Sequence, residues 1–133
     1  MAYDQFQTPA TLVDLNVMER NIDRYQQAAR KYGKQLWPMI KTHKSIEIAR
    51  LQKKSGAQGF LAGTLDECER LAADGFKHIM YAYPIAGSHN IMRALALANA
   101  CDFYVCLDGK EAAFEIAAAA ETAAVVIRYL III

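Results

Sequence analysis

The sequence is short of several things at once, and each absence removes a class of function. Net charge is nearly nil: 15 Lys and Arg against 14 Asp and Glu leave +1 over 133 residues. So balanced a chain lacks the basic excess that nucleic acid or an anionic membrane demands, and neither is expected as a partner. Proline (3) and glycine (7) are sparse while 54% of residues are hydrophobic, which excludes collagen-like, low-complexity and disordered chains. Cys68, Cys101 and Cys106 are an odd number of cysteines without framework spacing; reduced thiols in a cytoplasmic protein are the expectation. The first residues hold Asp4 and no apolar run, unlike a secretory leader. The apolar stretch 112–133 is broken by Glu115, Glu121 and Arg128, short of the roughly 18 uninterrupted apolar residues of a spanning helix.

Familiar site signatures are missing too. There is no Gly-x-Gly-x-x-Gly turn, no Gly-x4-Gly-Lys-Ser/Thr loop and no Gly-x-Ser-x-Gly elbow, so dinucleotide, P-loop and common α/β-hydrolase sites find no support. His78 and His89 have no zinc-ligand spacing, and Cys101 and Cys106 have no Cys-x-x-Cys gap; these read as ordinary structural residues.

What is present is an alternation. β-rich runs at Gln35–Ile40, Gln58–Ala62, His78–Tyr83, Phe103–Leu107 and Ala124–Ile131 are separated by segments with helical apolar spacing, such as Leu15, Met18, Ile22 and Tyr25. Asn16 with Glu19, Thr64 with Glu67, and Asp108 with Glu111 have the spacing of a capping box. Gly33, Gly56 and Gly75 follow helical stretches, where a left-handed residue ends a helix. Strand starts recur every 20–25 residues or so, the size of a βα unit, so the expected fold is α/β with a parallel sheet. A doubly wound sheet and part of a (β/α)8 barrel both satisfy this pattern. Either one presents its site at the carboxyl ends of the strands.

The first strand candidate runs directly into Trp37-Pro38-Met39-Ile40-Lys41-Thr42-His43-Lys44-Ser45. Lys41 follows the apolar run so closely that its amine can emerge at the mouth of the sheet. Partial burial and the neighbouring Lys44 would lower its pKa, giving a neutral amine that attacks an aldehyde carbon. The competing reading is a solvated loop with two surface lysines and Ser45 as a helix cap.

Thr8-Pro9-Ala10-Thr11-Leu12-Val13-Asp14-Leu15, Asn21-Ile22, and Pro38 to Ser45 followed by Glu47-Ile48-Ala49-Arg50 together carry a resemblance. Gly59 to Glu67, Ala73 to Phe76, and Tyr81-Ala82-Tyr83-Pro84 extend it in the same order. Over about Thr8 to Asp108 the chain resembles the alanine-racemase-type, fold-type III pyridoxal-phosphate enzymes, within them the D-threonine aldolase and D-serine dehydratase branch. The resemblance implies that residues 1–133 are the front of a (β/α)8 barrel, about five of eight βα units, with a C-terminal β domain absent from this chain. It implies pyridoxal 5′-phosphate held on Lys41 as a Schiff base, with His43 and Tyr83 as further cofactor-binding residues. Tyr83, like Tyr81, reads equally well as a core aromatic. The implied activity is aldol cleavage or dehydration of D-amino acids or β-hydroxy-D-amino acids. Racemisation, a non-catalytic cofactor-binding role and an inactive fragment are the alternatives. A homodimer acting on a small amino acid is implied, as is a divalent metal held by residues outside this chain. Met39 stands where many members of the family carry a histidine, and Arg128 matches no motif. The apolar ending Val125 to Ile133 is expected to be an interior strand separated from its neighbours.

Overall fold

The computed structural model describes residues 5–133; Asp4, used above against a leader, lies outside them. The described residues contain five α-helices: α1 (Leu15–Lys31), α2 (Ile46–Ser55), α3 (Leu65–Ala73), α4 (Ser88–Ala100) and α5 (Lys110–Ala123). Four strands lie among them: β1 (Phe60–Ala62), β2 (His78–Pro84), β3 (Asp102–Leu107) and β4 (Arg128–Ile131). They form one parallel sheet in the order β1-β2-β3-β4. Each new strand joins the same side of the sheet as the last. A doubly wound sheet reverses direction at a switch point; the described strands never do, so the winding is that of a barrel.

The expected first strand, Gln35–Ile40, is a correction. Only Met39 bridges to Leu61 in parallel, supported by Gln58 N donating to Leu36 O and Leu61 N to Pro38 O at 3.0 and 2.9 Å. Pro38 has no N–H to give a ladder, and Ile40–Thr42 curl into a 3-10 turn. The predicted run Gln58–Ala62 shortens to Phe60–Ala62. The last predicted strand loses residues 124–127, because Ala124 ends α5 in a left-handed conformation at φ 52°.

Thr64 caps α3 as expected, its hydroxyl accepting from Glu67 N at 3.1 Å. The other two capping expectations fail. Asp14, not Asn16, caps α1 and accepts from Val17 N at 3.0 Å; a carboxylate at the positive end of a helix is the better cap. Gly109, not Asp108, precedes α5, with no side-chain cap. Ser45 caps α2, its hydroxyl accepting from Ile48 N at 3.2 Å. Gly33, Gly56 and Gly75 all have positive φ, at 61°, 120° and 87°, as helix ends of this kind require.

The core lies between the sheet and helices α3 to α5. Phe60, Ile79, Phe103 and Val105 from the strands pack with Leu71, Ile91, Leu95 and Ile116 from the helices. Phe103 and Val105 alternate with the less buried Tyr104 along β3, the period-2 signature of a strand with two different faces. Cys68 and Cys106 are buried and Cys101 half-buried, all as free thiols. Burial pushes the Cys68 thiol up to about 12, so it serves as a small core residue. β4 is exposed along its whole length. Among the described residues no helix is long and apolar enough to cross a membrane.

Candidate active site

Lys41 sits in the 3-10 turn after the Met39 bridge, at the carboxyl edge of the sheet. Its Nζ donates to Tyr83 Oη at 2.6 Å and lies 5.3 Å from the Tyr83 ring centroid. Tyr83 comes from the far end of β2, 42 residues along the chain, so the parallel sheet is what joins them. The Tyr81 ring meets it edge-on at 6.3 Å.

Behind the lysine stem lies Gly63, at the end of β1. A Cβ there would fall 2.9 Å from Lys41 Cδ and 3.3 Å from its Cβ, so any larger residue would displace the lysine stem from its present path. Glu67, in the first turn of α3, turns its carboxylate into the same corner. It accepts from Gly63 N at 2.7 Å and from Lys44 Nζ at 2.5 Å. Burial alone would push its pKa up, but the Lys44 and Gly63 donors outweigh that and hold the carboxyl below its ordinary range.

The expected low pKa of Lys41 is overturned. Donation to Tyr83, reinforced by its charge interaction with the same group, raises the Lys41 pKa above its ordinary value. Burial still acts to lower it, but less than the Tyr83 contact raises it, and Lys44 is engaged by Glu67. Condensation with an aldehyde needs the neutral amine, so its rate should climb with pH through the Lys41 pKa. Tyr83→Phe removes the largest cause of the rise. The pH midpoint for capture of a free aldehyde by Lys41 should therefore move down, and capture at neutral pH should quicken. Peptide-resolved labelling across a pH series checks this; an unmoved midpoint refutes it.

His43 is not brought to this pair. Its ring lines a cavity of about 820 Å3 between α1 and α2, with Met18, Gln26 and Gln52 among its neighbours and neither Lys41 nor Tyr83 in the lining. Ser45 N donates to His43 Nδ1 at 3.1 Å, which leaves the ring proton on Nε2. Burial lowers its pKa, so the ring is neutral at pH 7. The sequence pointed to Lys41 and Tyr83, but it showed Glu67 only as a cap partner and gave Gly63 no role. A glycine directly after a strand, followed by Thr-x-x-Glu, was the available signal.

The amino end of the sheet carries a separate polar group. Asp102 pairs with Arg128, meets His78 Nδ1 at 2.9 Å and accepts from Tyr104 Oη at 3.4 Å. Trp37 packs edge-on against Tyr104 at 5.7 Å. Arg128 and His78 thus tie together strand starts, at the end of the sheet where such ties serve stability. Among the described residues no group of three His, Cys, Asp or Glu side chains comes together.

Successive βα units wound one way, with an amine standing at the carboxyl edge, define the front of a parallel βα barrel. The chain belongs to the family of alanine racemase N-terminal domains, whose model it matches over residues 13–133. It is 41% identical over 112 residues to the D-threo-3-hydroxyaspartate dehydratase of Delftia sp. strain HT23, covering 84% of this chain and 29% of that one. The structure of that dehydratase superposes with a TM-score of 0.90 at 37% identity, over 96% of this chain and 34% of the other. The D-threonine aldolase of Filomicrobium marinum gives a TM-score of 0.90 at 26% identity, over 94% and 34%. The chain spans about a third of the length of these relatives.

Proposed function

We propose that this chain forms the cofactor-anchoring front of a pyridoxal-phosphate-dependent lyase acting on β-hydroxy-D-amino acids, by dehydration or aldol cleavage. The observation that carries the reading is the Lys41 amine at the carboxyl edge of the sheet, 2.6 Å from Tyr83 Oη. The residues fit an aldehyde-bearing cofactor. An exposed primary amine stands at the strand end, Gly63 leaves room for its stem, and an aromatic hydroxyl lies beside it. Bound there, pyridoxal phosphate supplies an electron sink for the bond broken at the substrate Cα.

The chain's own residues have distinct tasks in this reading. Lys41 Nζ would anchor the cofactor through its aldehyde, and the same nitrogen would hold and move a proton. Tyr83 Oη orients Nζ and packs its ring near the cofactor. His43, turned toward α1 and α2, stiffens the turn that carries Lys41. The remaining barrel strands, the C-terminal β domain and any divalent metal belong to residues outside this chain, and the whole protein acts as a cytoplasmic homodimer. The names of the relatives support the substrate class, since both a dehydratase and an aldolase act on amino acids with a β-hydroxyl.

The test is a substrate panel on the full-length protein with pyridoxal phosphate: D-threo-3-hydroxyaspartate, D-threonine, D-serine, and D- and L-alanine. Ammonia released from a β-hydroxy-D-amino acid marks dehydration, and glycine with an aldehyde marks cleavage. Interconversion of D- and L-alanine without either product overturns the reading in favour of a racemase. Consumption of nothing overturns it in favour of a binding protein.

A further inference from the structure

Two primary amines stand three residues apart, Lys41 directed at Tyr83 and Lys44 at Glu67, and both can condense with an aldehyde. Something has to choose between them. Glu67 touches the surroundings of both. Its Oε1 accepts from Lys44 Nζ at 2.5 Å, and its Oε2 accepts from Gly63 N at 2.7 Å. The carboxylate is 9% exposed, whereas the Lys44 side chain is 65% exposed, so the pair is anchored from the Glu67 side. Lys44 also holds a left-handed backbone at φ 51°, an unfavourable conformation for lysine. Its amide donates to Ile40 O at 2.8 Å, closing the turn that presents Lys41.

The second contact of Glu67 reaches Lys41 through Gly63. The Lys41 stem lies so near this glycine that an added Cβ would meet Cδ at 2.9 Å and Cγ at 3.4 Å. By fixing the Gly63 amide, the carboxylate fixes the wall along which Lys41 runs. One side chain therefore immobilises the competing amine and shapes the channel of the other. The Lys44 amine is held at the Glu67 carboxylate, whereas the Lys41 amine is directed at the Tyr83 hydroxyl across the mouth of the sheet.

We propose that Glu67 is a positioning residue that selects Lys41 over Lys44 as the amine that meets the cofactor aldehyde. The proposal rests on the function proposed above and adds what makes the choice of lysine.

Two labelling experiments on the full-length protein test it. In the first, the protein without cofactor is exposed to formaldehyde and cyanoborohydride, and methylation of each lysine is followed by peptide mass spectrometry. The amine nitrogen bonds to the aldehyde carbon, the carbonyl oxygen leaves as water, and hydride reduces the C=N bond. In Glu67→Gln, which keeps an acceptor for Gly63 N but loses the charge, labelling of Lys44 relative to Lys41 should rise about tenfold. That is the lower end of what a charge-assisted hydrogen bond supplies, as suits a largely exposed partner. In the second, pyridoxal phosphate and borohydride replace those reagents. Wild type should carry the adduct on Lys41, Glu67→Gln should divide it between the two lysines, and Glu67→Gln with Lys44→Met should return it to Lys41 alone.

Gly63→Ala provides an arm that leaves the ion pair intact. It should lower Lys41 labelling while that of Lys44 holds, and it carries the test if Glu67→Gln fails to fold. Wild-type ratios in a folded Glu67→Gln, or wild-type Lys41 labelling in Gly63→Ala, overturn the proposal. A wild-type protein that takes no pyridoxal adduct on Lys41 overturns the proposed function instead, since the formaldehyde ratios need no cofactor.

Discussion

Phe60→Ala should cost the protein about 3–5 kcal/mol of stability, the range for removing a buried aromatic from a close-packed core. Phe60 is 1% exposed and meets Phe76 edge-to-face, with centroids 4.9 Å apart at 78°. It begins β1, a strand of only three residues joined to β2 by parallel pairing. So short a strand has few ladder bonds, and its place depends on the side chains it buries. Truncation removes the transfer free energy of the ring, the aromatic pair and the contacts around them. It also leaves a cavity in a close-packed core, which costs further stability to the extent that the surroundings do not collapse into it. Denaturant unfolding should show a lower midpoint with an unchanged slope. Phe60→Leu, which keeps most of the volume, should lose less than half as much. A loss under about 1 kcal/mol for the alanine variant would show that the site collapses around the gap.

β1 also carries the functional edge, so the same cavity should be felt at the amine. Gly63 follows it immediately, and Leu61 pairs with Met39 two residues before Lys41. Loosening β1 therefore moves both the wall of the lysine channel and the turn that holds the lysine.

The central strands were legible in the sequence because residues 78–83 and 103–107 carry compact apolar runs flanked by helix-ending and helix-starting residues. The capping of α3 was legible because Thr64 and Glu67 have the right spacing. The opening segment was not. Trp37, Met39 and Ile40 look like a strand by composition, but Pro38 interrupts pairing and the chain turns before a ladder can form. Asn16 misled for a related reason: the better acceptor stood two residues earlier, in Asp14. At the site, Lys41 stands out as a residue type after an apolar run, whereas its electrostatics do not. The partner that sets its pKa lies 42 residues away, and the neighbour that seemed to lower it is paired to Glu67. Local sequence reports which groups are close along the chain. The sheet decides which are close in space, and for a charge only the second matters.

Lys41→Ala should abolish covalent capture of pyridoxal phosphate at this position and lower turnover by on the order of 10³-fold or more, as removal of a covalent nucleophile does. The structural cost should be small. The side chain is exposed, its amine has Tyr83 as its one hydrogen-bond partner among the described residues, and its stem runs past Gly63. Loss of function with a near wild-type melting curve is thus the expected combination, and it separates Lys41 from Phe60. Lys41→Arg sharpens the point. It retains a cation that can still donate to Tyr83 Oη, yet a guanidinium cannot condense with the aldehyde at ordinary pH. If Lys41 acted only as a charge near the cofactor phosphate, arginine would preserve most of the function; if it is the anchor, arginine should be as inactive as alanine. Absorbance after mixing with pyridoxal phosphate, followed by borohydride and peptide mapping, reads the two cases directly. An arginine variant with wild-type turnover would reduce the contact with Tyr83 to a surface hydrogen bond and move the anchor elsewhere.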